Sequence, residues 1–241
     1  MRMLLILTLV AVLAGTAQAQ APYIADFEGG VNYGDWTWGA TWADVVEPTG
    51  GNPGGYFGNA YQDTYYPVLR SGWDVEGFTG DYVAMGVNHI SADFQTFSSS
   101  NQWIGTFMFC VFLRNNMGTP DDFEDDIYVY PNPENWTCPD IGEGWKHYDF
   151  DIPSDFVGAP GELPDGWMGG SYLTGNATFP SDATWQDVIA GVSRLEFWWN
   201  HPDWAAIFAS FNTGVDNIVL EYSGPVATED ASFGDVKALY R

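Results

Sequence analysis

The chain has 241 residues, with 32 Asp and Glu against 7 Lys and Arg and a formal net charge of −25 at pH 7. That balance excludes nucleic acid and repels sulfated or uronic-acid polymers, because binding a polyanion depends on Lys and Arg displacing its counterions. With 12 Trp, 13 Tyr and 16 Phe the chain has material for a large core and is not an acidic disordered segment.

The N-terminus carries Arg2, an apolar run from Met3 to Ala14, and the small-residue site Ala17-Gln18-Ala19. This layout predicts a secretory signal peptide over residues 1–19, and its apolar run is too short to span a bilayer. No cysteine follows the run to anchor a lipid, and no second long apolar segment is present. A secreted protein is expected, periplasmic, cell-surface or extracellular, with no membrane span.

From residue 20 to 222 the punctuation is that of one all-β domain, with Gly and Pro recurring between aromatic and β-branched runs. Strands are predicted at Tyr23–Phe27, Trp36–Trp42, Tyr82–Val87, Trp103–Arg114, Asp126–Tyr130, Trp145–Ile152, Val192–Trp199, Ala206–Phe211 and Asn217–Tyr222. The run Ile104–Leu113 is apolar at nearly every position, as a strand covered on both faces would be. One short helix is predicted after Thr184, with Asp187 completing a capping box and Trp185, Val188 and Ile189 on one face. Many strands and one helix imply a two-sheet antiparallel sandwich. Residues 223–241 read as a polar linker and a short tail, in which Phe233, Val236 and Tyr240 could share a helix face.

Cys110 lies in a strand-like run and Cys138 in a loop. Export permits one disulfide between them, and two buried thiols fit the pattern equally well. His89, His147 and His201 are too scattered for a zinc signature.

Three stretches carry a family resemblance. The opening Asp26-Phe27-Glu28-Gly29-Gly30 with Trp36, and the closing Gly214-Val215-Asp216-Asn217-Ile218-Val219-Leu220, resemble the first and last strands of calcium-containing jelly-roll carbohydrate-binding modules. Between them, Thr49-Gly50-Gly51-Asn52-Pro53-Gly54-Gly55-Tyr56 is similar to a signature of laminin B (domain IV)-like secreted domains. The resemblance implies a jelly roll and a structural calcium ion held by Asp26 or Glu28 together with Asp216. Chemistry agrees, since converging carboxylates repel unless a hard cation sits between them.

Strand alternation suggests a ligand-binding face. With Tyr148, Phe150 and Ile152 inward, Trp145, His147 and Asp149 point out; with Leu195, Phe197 and Trp199 inward, Arg194, Glu196 and Trp198 point out. Tyr128 and Tyr130 likewise alternate with Ile127 and Val129. Were these strands in one sheet, they would form an exposed face of aromatic platforms beside hydrogen-bonding groups, suited to a neutral polysaccharide or glycan.

Retaining hydrolases of this shape present Glu-x-Asp-x-x-Glu on one strand, setting two carboxyls about 5 Å apart. That spacing is missing here, as are Gly-x-Ser-x-Gly and His-Glu-x-x-His. The sequence therefore points to a non-catalytic sugar-binding domain. A structural or adhesive surface protein and an unrecognised jelly-roll glycoside hydrolase are the alternatives.

Overall fold

The structure, a computed structural model, describes residues 21–39, 44–171, 178–200 and 206–222. The expected signal peptide and C-terminal tail lie outside these residues.

Two antiparallel sheets form a jelly-roll sandwich. The first runs β3 (Asp44–Gly51), β4 (Gly54–Tyr65), β12 (Ala206–Tyr222), β6 (Val87–Ser99), β9 (Lys146–Asp151), with β1 (Tyr23–Ala25) also paired to β12. The second runs β10 (Trp167–Ser171), β8 (Ile127–Pro131), β7 (Phe109–Asn115), β11 (Arg194–Trp199), β5 (Val68–Arg70), β2 (Thr37–Trp38). Strand β12 serves two partners along one edge. It pairs β4 as far as Val215 and β1 from Ile218 onward. Asp216 and Asn217 fall in the gap, where the register with β6 also slips and Asn217 takes a left-handed φ of 49°. A bulge of this kind re-aims side chains.

Period-two alternation supplies the core. Tyr148 and Phe150 of β9, and Leu195, Phe197 and Trp199 of β11, all point between the sheets. Phe109 lies 4.1 Å from Tyr148 and 5.0 Å from both Phe94 and Trp199, ring centre to ring centre. Each such ring is worth about 1.5–3 kcal/mol when taken out of water.

Two expectations need correction, and one open question is settled. The predicted strand Tyr82–Val87 instead opens with α1 (Tyr82–Met85), because Asp81 accepts from the Ala84 N–H and Gly86, at φ 69°, closes the turn. The run from Trp103 begins with a 3-10 turn at Ile104–Thr106, held by the Thr106 hydroxyl on the Trp103 carbonyl, so the strand starts at Phe109. From there on β7 is central and buried as expected, with β8 on one side and β11 on the other. The cysteines are both free and buried. Cys138 joins the main core and Cys110 a smaller cluster on the outer side of β7. The helix after Thr184, α2 (Trp185–Ile189), has the capping box its sequence predicts and buries Trp185, Val188 and Ile189.

Candidate functional site

The predicted face divides between the two sheets. Trp145, His147 and Asp149 belong to the first sheet's outer surface, beside and along β9. Tyr128 and Tyr130 of β8, with Arg194, Glu196 and Trp198 of β11, belong to the outer surface of the second. The inward–outward alternation holds on every strand. What fails is the single face, because β9 pairs β6 and not β8 or β11.

On the second sheet the outward residues are also less exposed than expected: Tyr130, Tyr128 and Glu196 are buried. They pack on one another. The Phe112 ring stacks 4.6 Å from Tyr130 and sits 5.1 Å from Trp198, forming a cluster separate from the core, with half-buried Met168 and Trp198 against it. Beside the rings, three of the chain's seven basic residues converge. Arg194 and Arg114 are direct cross-strand partners, and Glu196 faces both Arg70 and Phe112. Two like charges opposite one another are destabilising unless carboxylates intervene, and here they do. Arg114 donates from Nε to Asp126 at 2.7 Å and from Nη1 to Glu196 at 3.2 Å. Arg70 Nε lies 3.8 Å and Arg194 Nε 4.0 Å from the same glutamate, while Trp198 Nε1 donates to it at 2.7 Å.

Burial opposes ionisation of Glu196, but Arg70, Arg114 and Arg194 together hold its carboxyl below the usual range. For Asp126 burial prevails, and its carboxyl is pushed up despite Arg114. The Arg194 and Arg114 guanidiniums stack over Trp73, 4.5 and 5.4 Å from the ring centre. Arg114 also lies 5.9 Å from Phe123, and Arg70 5.9 Å from Trp198. Sequence reasoning missed Arg70, Arg114, Asp126, Phe112, Trp73 and Phe123. The available signal was scarcity: in so acidic a chain, any arginine inside a strand needs a reason.

The first sheet's outer surface carries a chain of alternating carboxylates and imidazoles. His147 joins Asp93 at 2.6 Å through Nδ1 and Asp149 at 3.1 Å through Nε2. His89 joins the same Asp149 oxygen at 3.0 Å and Asp151 at 3.3 Å. Burial alone would lower the His147 pKa, but its hydrogen bond to Asp93 and the nearby aspartate charges hold it above the ordinary value. Next to this chain Trp145 donates to the Gly50 carbonyl and packs edge-on against Tyr56 and Phe97.

The third locus is the β12 gap. Asp216 is fully buried and accepts from the Asn52 and Asn217 N–H groups. Burial pushes its carboxyl up to about 6, and the charges of Asp93 and Glu28 add to the rise. Glu28 accepts from the Gly55 N–H at 3.0 Å. Asp26 takes a different role, capping the turn by accepting from the Glu28 N–H. The intervening loop must be glycine. A Cβ on Gly54 would strike the Glu28 carboxylate, and one on Gly51 would meet the Gly55 carbonyl and lie 2.7 Å from Asp216 Oδ2. One on Gly55 would lie 2.8 Å from the Phe27 carbonyl oxygen and 3.1 Å from that of Glu47. Among the described residues no three His, Cys, Asp or Glu side chains form a metal-holding group. The oxygens crowded here are two carboxylates and several carbonyls, a donor set that fits a hard cation such as calcium.

No family model matches the chain, and no curated protein does either. Among solved structures it is similar to an exo-β-agarase, at 12% identity and a TM-score of 0.45, covering 83% of this chain and 25% of that one. A second is the carbohydrate-binding module CBM28, specific for non-crystalline cellulose, at 16% identity and TM-score 0.32, covering 81% of this chain and 91% of the module. The module CtCBM11 is similar at 17% identity and TM-score 0.40, covering 87% and 99%.

Proposed function

We propose that this chain is a secreted, non-catalytic carbohydrate-binding domain whose ligand lies across the outer surface of the second sheet. One observation carries the reading: outside the core, the rings of Trp198, Trp73 and Phe123 stand beside fixed donors and acceptors, with the buried rings of Phe112, Tyr128 and Tyr130 packed against Trp198 as their support. Sugars need that mixture, because their C–H faces stack on rings while their hydroxyls require oriented partners. Trp198 and Trp73 are half-buried and Phe123 is 51% exposed, so this end of the surface is open to a ligand. Binding is favoured over hydrolysis because Asp126 and Glu196 are both tied to Arg114, in the manner of positioning groups.

The same proposal includes a structural calcium ion at the β12 gap, held by Glu28, Asp216 and neighbouring carbonyls. When bound it would neutralise the two carboxylates and tie β1 and the Gly50–Gly55 loop to β12. A panel of immobilised polysaccharides tests the function. Wild type should bind at least one member, and Trp198→Ala should weaken that binding by at least about tenfold while the fold is kept. Binding of no polysaccharide by a correctly folded, calcium-loaded domain would refute it.

A further inference from the structure

The arginines of the second sheet say more about the ligand than the rings do. Arg70, Arg114 and Arg194 surround Glu196 and Asp126, so three cations face two carboxylates within 4.0 Å, a local excess of one positive charge in a chain of net −25. Arg194 Nε donates to the Ser71 carbonyl at 2.9 Å, and Arg114 donates to Asp126 and Glu196, whereas Arg70 is held less fully. Arg70 Nε is buried and has no hydrogen-bond partner among the described residues, its contact to Glu196 being too long at 3.8 Å. A buried donor or acceptor left unpaired costs free energy, and a native site tolerates it where something else completes it. Burial lowers the Arg194 pKa, Glu196 opposes that shift, and the like charges of Arg70 and Arg114 add to it, so the three guanidiniums crowd one another.

Resting on the sugar-binding reading above, we infer that the glycan recognised here is a mostly neutral polysaccharide bearing isolated carboxylate groups, with one carboxylate paired to Arg70 and Arg194. Both halves of that description follow from charge. The local excess asks for an anion, and guanidinium forks match a planar carboxylate. The net charge of −25 repels a polymer charged at every residue. A single carboxylate on a neutral backbone avoids that repulsion, since beyond about 8 Å the other charges are screened at physiological ionic strength. The stacking of Arg114 and Arg194 on Trp73 keeps the guanidiniums in place before the ligand arrives. Arg70, whose side chain is 31% exposed, is the one a ligand can reach from solvent.

The test uses a matched pair of probes: glucuronoxylan, and the same polymer after its glucuronate carboxyls have been reduced to primary alcohols. Wild type should bind the native polymer at least about tenfold more tightly than the reduced one, a single charge-assisted hydrogen bond being worth that much. Arg70→Gln and Arg194→Gln should remove the preference, so that each variant binds the native and the reduced polymer with equal affinity. Arg70→Lys, which keeps the charge but not the fork, should restore only part of it. Thermal melting of each variant checks that the fold survives. Equal binding of the two polymers by wild type, or binding confined to uncharged glycans with Trp198→Ala still disruptive, overturns this inference and leaves the sugar-binding function standing. Failure to bind any glycan, charged or neutral, overturns both.

Discussion

The two outer surfaces of the sandwich handle charge in opposite ways. On the first sheet, His89, His147, Asp149 and Asp151 pair with one another while Asp149 and Asp151 stay 59% and 100% exposed. On the second, Arg114, Glu196 and Asp126 pair with side chains at most 8% exposed. Both patterns arise from the same alternation along β-strands. Water makes the difference: pairs on the first sheet are screened and dispensable, whereas those on the second have lost their hydration and depend on each other. Breaking one surface should therefore be cheap and breaking the other expensive.

Glu196 gives the largest expected effect. Replacing it with Ala leaves three buried or half-buried guanidiniums without their common anion, and removing one partner of a buried ion pair costs about 3–5 kcal/mol. Asp149→Ala on the first sheet should change stability by no more than about 0.5 kcal/mol. Urea unfolding of the two variants measures both. If Glu196→Ala proves as mild as Asp149→Ala, the contrast between the surfaces is wrong.

Calcium comes next. With Asp216 fully buried and its carboxyl raised by burial and by neighbouring charge, the calcium-free gap is a weak point in β12. A calcium concentration a hundredfold above Kd should stabilise the fold by about 2.7 kcal/mol, and a chelator should remove that gain. In Asp216→Asn the melting temperature should become insensitive to chelator. A wild-type Tm that ignores both calcium and chelator would sink the metal proposal. Asp26→Asn should leave the calcium response intact, because the Asp26 carboxylate is engaged in capping the turn at Glu28.

Much of the architecture was legible because aromatic alternation is a strong signal. Tyr148 and Phe150 in β9, or Leu195, Phe197 and Trp199 in β11, declare their inward faces without any structure. The long strands β4 and β6 were missed for the converse reason. In β6 the outward positions are Asn88, His89, Ser91, Asp93 and Gln95, so its inward Ile90, Ala92 and Phe94 are diluted among polar residues. Pairing between strands was not legible at all: nothing local tells β9 to join β6, and that one fact divides the predicted face. The arginine cluster was hidden in the same way, since Arg70, Arg114 and Arg194 meet only through the β5–β11–β7 register. Glu28 and Asp216 were named together because the family resemblance linked the two chain ends, which composition could not do.

The smallest effect separates the two surfaces by pH. His147 is 53% exposed, and its Asp93 and Asp149 contacts hold its pKa above the ordinary imidazole value in the folded state. A raised histidine pKa means that the folded protein binds the proton more tightly than the unfolded chain. The stability this contributes is fully present below about pH 6.5, the unfolded value, and is lost as pH rises through the folded one. Among the described residues the groups facing His147 are Asp93 and Asp149, with Lys146 adjacent in sequence, and no second imidazole is hydrogen-bonded to it. Wild type compared with His147→Gln should thus show a stability difference that is largest near pH 6 and shrinks by pH 8.5, read from urea midpoints at matched ionic strength. High salt should reduce it, because His147 and Asp149 are solvent-exposed, while the part held by buried Asp93 should persist. Glu196 shifts the other way, its carboxyl held low by the arginines, so its contribution persists at neutral and alkaline pH and is lost only as pH falls through its lowered pKa. A stability difference for His147→Gln that stays constant from pH 6 to 8.5 would mean that the imidazole–carboxylate chain does not form in solution.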